Sequence, residues 1–362
     1  MKNRARVIAL YLPQYHPIPE NNEWWEPGFT EWTNVTKAKP LFRNHYQPHL
    51  PADLGYYDLR VPETRQAQAD MAKHYGIEGF CYWHYWFGGG YQLLERPFNE
   101  ILASGQPDYP FCLAWANEDW KGAYHGVSGR KILVEQHYPG EEDYTRHFFH
   151  VLPAFKDPRY ITVDGKPLFM IYRPLADPQV IFFIQTWRKL AEENGLPGIY
   201  FIGHNNEPYR TAQQILTTGV DAVNTAGISR YITQRSPVQK MMGRIKRLLL
   251  GLPKTMLISY ELASSFFLNA DEDKLENVFP TIIPNWDNTP RTIEHGVIFE
   301  HSTPDLFYQH VLNALSLIEQ KQFEHKIIFL KSWNEWAEGN YMEPDKKWGK
   351  AYLEALHKAI CG

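Results

Sequence analysis

The sequence predicts a single (β/α)8 (TIM) barrel, and three observations carry that prediction. Short apolar runs alternate with helical patterns along nearly the whole chain, eight of those runs have strand character, and polar and aromatic residues gather just after them. Strands separated by helices imply right-handed parallel crossovers, and eight of them closing on themselves make a barrel. An open doubly wound sheet is the alternative, but where it would carry a Gly-rich phosphate turn this chain reads Pro13-Gln-Tyr-His16.

Taken in order, the first strand is expected at 6–12. The stretch that follows holds Trp24-Trp25, Glu31-Trp32-Thr-Asn34 and His45-Tyr-Gln-Pro-His49 without helical or strand period. It is too aromatic for a solvated loop and is expected to fold over the barrel mouth. A helix opens at Pro62 and stops at Gly76. Further strands are expected at 77–85, 110–116, 167–172, 199–202, 221–225, 281–284 and 327–331, with helices at 96–104, 144–155, 180–194, 209–218, 305–320 and 349–360. The rhythm breaks after the sixth strand, so 228–279 reads as an insertion over the rim of one catalytic domain spanning 1–362. Within it, 240–251 is basic and amphipathic. It reads either as a flap with its lysines and arginines in water or as a peripheral membrane or lipid-linked glycan contact.

The 362 residues carry a formal net charge of -4, which provides no global basic field and excludes nucleic acid as the expected partner. The three cysteines, Cys81, Cys112 and Cys361, form no CxxC pair, which argues against a disulfide framework and for a reduced compartment. The apolar run after Met1-Lys-Asn-Arg-Ala-Arg6 is too short for a signal peptide, and no stretch is long enough to span a bilayer. A cytoplasmic location is expected. The anomaly is 15% aromatic residues, with 12 Trp and 22 Tyr. Many stand beside His, Asn, Glu and Gln at run ends, which suits sugar rings that stack on one face and hydrogen-bond at their edges. An oligo- or polysaccharide is the expected partner.

Barrel sites lie at C-terminal strand ends. Those ends supply Tyr11, Gln14, Tyr15 and His16 from the first strand, then Trp83, His84 and Tyr85 from the second. The third to fifth supply Trp115, Asn117, Glu118, Tyr172, His204 and Asn205. The last two give Trp286, Asp287, Asn334, Glu335, Glu338 and Glu343. His16, His45, His49, His84 and His204 lack metal-ligand spacing, and neither a P-loop nor a Gly-x-Ser-x-Gly elbow is present, so no metal or cofactor is expected. The strongest motif is Asn334-Glu-Trp-Ala-Glu-Gly339, which could be a solvated acidic loop were it not flanked by Trp333 and Tyr341. Paired carboxylates suit glycosidic cleavage, in which one group protonates the leaving oxygen and the other assists at the ring. A like charge and aromatic desolvation should raise one of the two, fitting it to act as the acid near neutral pH.

The runs Ala9-Leu-Tyr-Leu-Pro-Gln-Tyr-His-Pro17, Glu31-Trp-Thr-Asn34, His45-Tyr-Gln-Pro-His49, Gly79-Phe-Cys-Tyr-Trp-His-Tyr85, Trp115-Ala-Asn-Glu118 and Trp333-Asn-Glu-Trp-Ala-Glu-Gly339 resemble the WbsX-like proteins. These are bacterial proteins associated with surface polysaccharide loci and related to glycoside hydrolase family 99. The resemblance covers nearly the whole chain and implies a metal-independent barrel related to retaining endo-α-mannosidases and endo-α-mannanases. It implies Glu335 as a base on the substrate's own 2-hydroxyl, which attacks the anomeric carbon to give a 1,2-anhydro sugar. It implies Glu338 as the acid, then as the base that activates water or an acceptor. The 2-hydroxyl must then lie trans to the leaving group, as in α-mannosides and α-rhamnosides. The expectation is a retaining glycoside hydrolase, with a glycosyltransferase or transglycosylase of O-antigen or capsule assembly and a non-catalytic glycan-binding protein as rivals.

Overall fold

Runs rich in β-branched and aromatic residues fold into strands that are apolar on both faces, as expected of a parallel sheet covered on both sides. The computed structural model describes residues 3–122, 131–251 and 254–362. Its barrel strands are β1 (Arg6–Tyr11), β2 (Gly79–Trp86), β3 (Phe111–Trp115) and β4 (Lys166–Ile171). They continue as β5 (Tyr200–Asn205), β6 (Ala222–Thr225), β7 (Val278–Ile282) and β8 (Ile327–Leu330). Each pairs in parallel with the next, and β8 returns to β1 with Arg6 opposite Ile327 and Ala9 opposite Leu330. The ring is closed, so among the described residues the fold is the predicted (β/α)8 barrel.

Helices cover the outside where the sequence provides their starts. Proline opens Pro62–His74 and Pro304–Ile318, a position where its missing N–H is harmless. Three acidic residues open Glu141–Phe155, favourable at the positive end of a helix. Three expectations shift. The seventh strand begins at Val278 rather than 281, because Val278 and Phe279 pair with Val223 and Asn224 of β6. The insertion therefore ends just before it. The aromatic stretch after β1 holds two short helices, Pro19–Trp24 and Glu31–Lys37, too brief for their period to show. The insertion builds a parallel pair, Met256–Ser259 with Val297–Glu300, over a small second core of Tyr231, Ile258, Tyr260, Phe267 and Phe299.

Cys81 and Cys112 lie side by side on β2 and β3 as buried free thiols. Among the described residues, no helix is long and apolar enough to cross a membrane.

Candidate active site

The loop after β8 leaves the barrel as a two-residue strand, Asn334–Glu335, then a 3-10 turn, Trp336–Glu338, then a return strand, Asn340–Tyr341. Asn334 fastens this loop to the end of β1: its side chain accepts from the Leu12 N–H at 2.8 Å and donates to the Leu12 carbonyl at 3.0 Å. Gly339 closes the turn at φ 61°, and a Cβ there would lie 2.7 Å from the Asp287 nitrogen. Only glycine lets the β7 and β8 loops approach so closely. The Asp287 N–H then donates to the Glu338 carbonyl at 2.7 Å.

This arrangement brings Glu335 and Glu338 onto one guanidinium. Arg291 Nη2 donates to Glu335 at 2.9 Å and Nη1 donates to Glu338 at 2.7 Å. Its Nε and Nη2 also reach a third carboxylate, Glu31, at 2.9 and 2.5 Å. Burial alone would lower the Arg291 pKa, but the charges of Glu31, Glu338 and Glu335 raise it well above its ordinary value. Burial raises Glu31 despite Arg291. The Glu335 carboxyl is pushed up to about 7, first by burial and then by the Glu338 charge, with Arg291 and Lys331 opposing. The raised member of the pair is thus the one the resemblance implies as the base, where the motif alone pointed to a raised acid. A base of pKa near 7 is stronger than an ordinary carboxylate, and about half of it is ionised at pH 7.

Both carboxylates open into a cavity of about 170 Å³ whose lining includes Gln14, Trp83, Tyr85, Glu118, Tyr172, Arg291 and Lys331. It continues through Glu118 and Tyr172 into a polar cavity of about 440 Å³ lined by Asn117, Arg173, His204 and Asn205. Trp83 meets Tyr172 edge to face at 5.2 Å, and Tyr172 stacks on His204 at 5.2 Å. His204 is held by Asn224 at 2.6 Å, and burial lowers it to about 3, so it stands neutral. The result is a groove with aromatic walls, holding the carboxylate pair with Arg291 and Lys331 at one end and amides mixed with further charged groups, Arg173 and Glu207 among them, at the other.

Other residues singled out in the sequence lie elsewhere. Period two along β2 sends Trp83 and Tyr85 to the groove and His84 outward, where its Nε2 lies 2.8 Å from that of His147. Trp115 likewise points outward and packs on Phe183 of the helix Gln179–Glu193. Tyr11 donates to Gln68 in the core, Tyr15 donates to the Asn334 carbonyl, and His16 turns its Nδ1 to the Pro13 carbonyl. Trp286 lies under the Lys331 ammonium at 5.5 Å. Asp287 accepts from His45 and Gln47, each at 2.8 Å; burial alone would raise it, and His45, His49 and Thr289 hold it low. Glu343 is sealed behind the turn, accepting from Trp336 at 2.6 Å, Gln68 at 2.6 Å and Tyr57 at 2.9 Å.

Sequence reasoning missed Arg291, Lys331 and the partnership of Glu31. The signal for Arg291 was faint: a basic residue just beyond Asn285-Trp-Asp287, in a loop that must face the acidic motif once the barrel closes. Among the described residues no group of three or more His, Cys, Asp or Glu side chains is placed to hold a metal ion.

Fold and site together define a (β/α)8 barrel with a clamped carboxylate pair at the mouth of an aromatic groove. The chain belongs to the family described as glycosyltransferase WbsX, which it matches over residues 7–356. Two proteins named WxcX, each described as uncharacterized, from two strains of Xanthomonas campestris pv. campestris, are 34% identical over 98% of this chain. The chain spans about half the length of these curated relatives, 50% of each. Among solved structures, a glycoside hydrolase-like protein aligns with TM-score 0.60 at 17% identity, covering 99% of this chain and 94% of the other. The GH99 endo-alpha-mannosidase from Bacteroides thetaiotaomicron aligns with TM-score 0.53 at 15% identity, covering 99% and 96%. At such identities the likeness is one of fold.

Proposed function

We propose that this chain is a retaining glycan-processing enzyme that cleaves 1,2-trans α-linked bonds, of α-mannoside or α-rhamnoside kind, in a bacterial glycan. The observation that supports this most is the sharing of Arg291 by Glu335 and Glu338 at the mouth of a groove walled by Trp83, Tyr85 and Tyr172. Glu335 takes the proton of the sugar's 2-hydroxyl, and that oxygen attacks the anomeric carbon. The glycosidic bond breaks as Glu338 protonates the leaving oxygen, leaving a 1,2-anhydro sugar. Glu338, now a carboxylate, deprotonates an incoming water, which opens the anhydro ring at the anomeric carbon while Glu335 returns its proton to O2. Two inversions give net retention.

The family description favours a second reading, in which a sugar hydroxyl replaces water in the last step and the product is a transferred glycosyl unit. Incubating the protein with α-manno- and α-rhamno-configured oligosaccharides in oxygen-18 water, with and without a labelled acceptor glycan, separates the two by mass spectrometry. Hydrolysis puts oxygen-18 at the new reducing end, and transfer lengthens the labelled acceptor without taking up oxygen-18. A 2-deoxy analogue is expected to be inert, and its turnover at the parent's rate would sink 2-hydroxyl participation.

A further inference from the structure

The helix Pro237–Leu249 is inside out. It begins with a capping box, the Ser236 side chain accepting from the Gln239 N–H at 3.2 Å while the Gln239 side chain accepts from the Ser236 N–H at 2.8 Å. Helix formation is thus specified locally. At 100° per residue, Val238, Met241, Met242, Ile245, Leu248 and Leu249 fall within a stripe roughly 120° wide, the pattern that normally faces a core. Here all six are 51–82% exposed. The half-buried positions are Gln239, Gly243 and Arg247, spaced by four on the opposite face. A helix that turns its polar side to its own protein and its apolar side outward has its apolar phase outside the molecule.

Charge says which phase. In a chain of net charge -4, residues 222–260 contain seven Lys and Arg and no Asp or Glu. On the helix, Arg244 and Lys246 flank the stripe on either side; Lys246 also reaches Glu300 at 2.6 Å, which ties the helix to the strand Val297–Glu300 beyond β7. An apolar stripe bordered by cations matches an acyl boundary bordered by anionic headgroups. A two-fold contact with a second copy would instead set basic edges against basic edges, with no acid on the helix to offset them.

We propose that the helix Pro237–Leu249 is a docking element for an anionic lipid surface, lying in the headgroup plane with Met242, Ile245 and Leu249 inserted. The helix packs on the strand Met256–Ser259, and the small core beneath that strand takes in Ile283 and Trp286, just past the end of β7, so the helix lies at the same end of the barrel as Glu335 and Glu338. Docking by this helix holds that end of the barrel at the membrane.

Flotation with vesicles tests this on the chain as it stands. The protein is expected to float with phosphatidylcholine vesicles containing one third phosphatidylglycerol, to lose that binding at high salt, and to stay behind with phosphatidylcholine alone. Met242→Asp with Leu249→Asp, and separately Arg244→Glu, should each weaken binding by roughly tenfold or more. These sites are exposed, so their circular dichroism should match that of the parent. Lys189→Glu, on the helix Gln179–Glu193, should change nothing. Failure of the parent to float, equal flotation on uncharged vesicles, or variants that float like the parent would each overturn the proposal. So would a dimer in light scattering that Leu249→Asp dissociates while no vesicle binding is seen, which would give the stripe to a second copy. None of these readouts depends on turnover, so a failure here leaves the carboxylate assignment untouched.

Discussion

Two glutamates in the loop after β8 have the same pKa in opposite surroundings. Glu335 and Glu343 are both pushed up to about 7, in each case first by burial. Glu335 opens on the groove, shares a guanidinium with Glu338, and takes its second upward push from that neighbour's charge. Glu343 is enclosed by neutral donors from Tyr57, Gln68 and Trp336, none of which can exchange it with substrate. A raised carboxyl is therefore no mark of chemistry by itself. What separates the two is access to the groove and a like-charged partner, which fit Glu335 to the proposed turnover and leave Glu343 to hold the loop.

The comparison breaks most readily at Arg291. Arg291→Met would leave Glu31, Glu335 and Glu338 without the cation that links them, and removal of one side of a buried ion network costs about 3–5 kcal/mol. Urea unfolding should register that loss, and a fall below about 1 kcal/mol would show that the clamp is not what tolerates three buried acids. Glu343→Ala should come next, at about 2–4 kcal/mol, because three buried donors lose their acceptor. Glu343→Gln keeps an acceptor and should cost less than half as much.

At Glu335 the effect has the opposite sign. The folded Glu335 carboxyl is raised above its ordinary 4.5. Its favourable contribution is thus complete below about pH 4.5 and is lost as pH rises through about 7. Above that, the ionised form carries the penalty of burial. Glu335→Gln cannot ionise, so it should be more stable than the parent by about 1–3 kcal/mol at pH 8 and level with it at pH 4. A variant less stable than the parent at pH 8 would mean that Arg291 outweighs burial at this position.

Much of this was legible in the chain before folding. The apolar runs fixed eight strands to within a few residues, because parallel strands covered on both faces are continuously apolar and hard to confuse. The Asn334-Glu-Trp-Ala-Glu338 loop announced itself through its companions. Direction was harder. Tyr82-Trp-His-Tyr-Trp86 alternates whichever way it faces, and only the barrel's closure sends Trp83 and Tyr85 to the groove while His84 goes outward. The same limit applies to Pro237–Leu249: periodicity specifies a helix with two faces, but which face meets the protein is decided by packing, and here it is the polar one. Arg291 was invisible for a third reason. Its partners come from the loops after β1 and β8, so its role exists only once the ring has closed.

The central claim is tested most directly by the turnover of Glu335→Gln, Glu338→Gln and Glu343→Gln beside the parent, on one α-manno- or α-rhamno-configured glycan at pH 7. The first two should lose about 10²–10⁴ in kcat/KM, the usual worth of an acid–base group, while Glu343→Gln stays within about tenfold. Glu335→Gln and Glu338→Gln working within a few-fold of the parent, or Glu343→Gln falling as far as they do, would contradict the account.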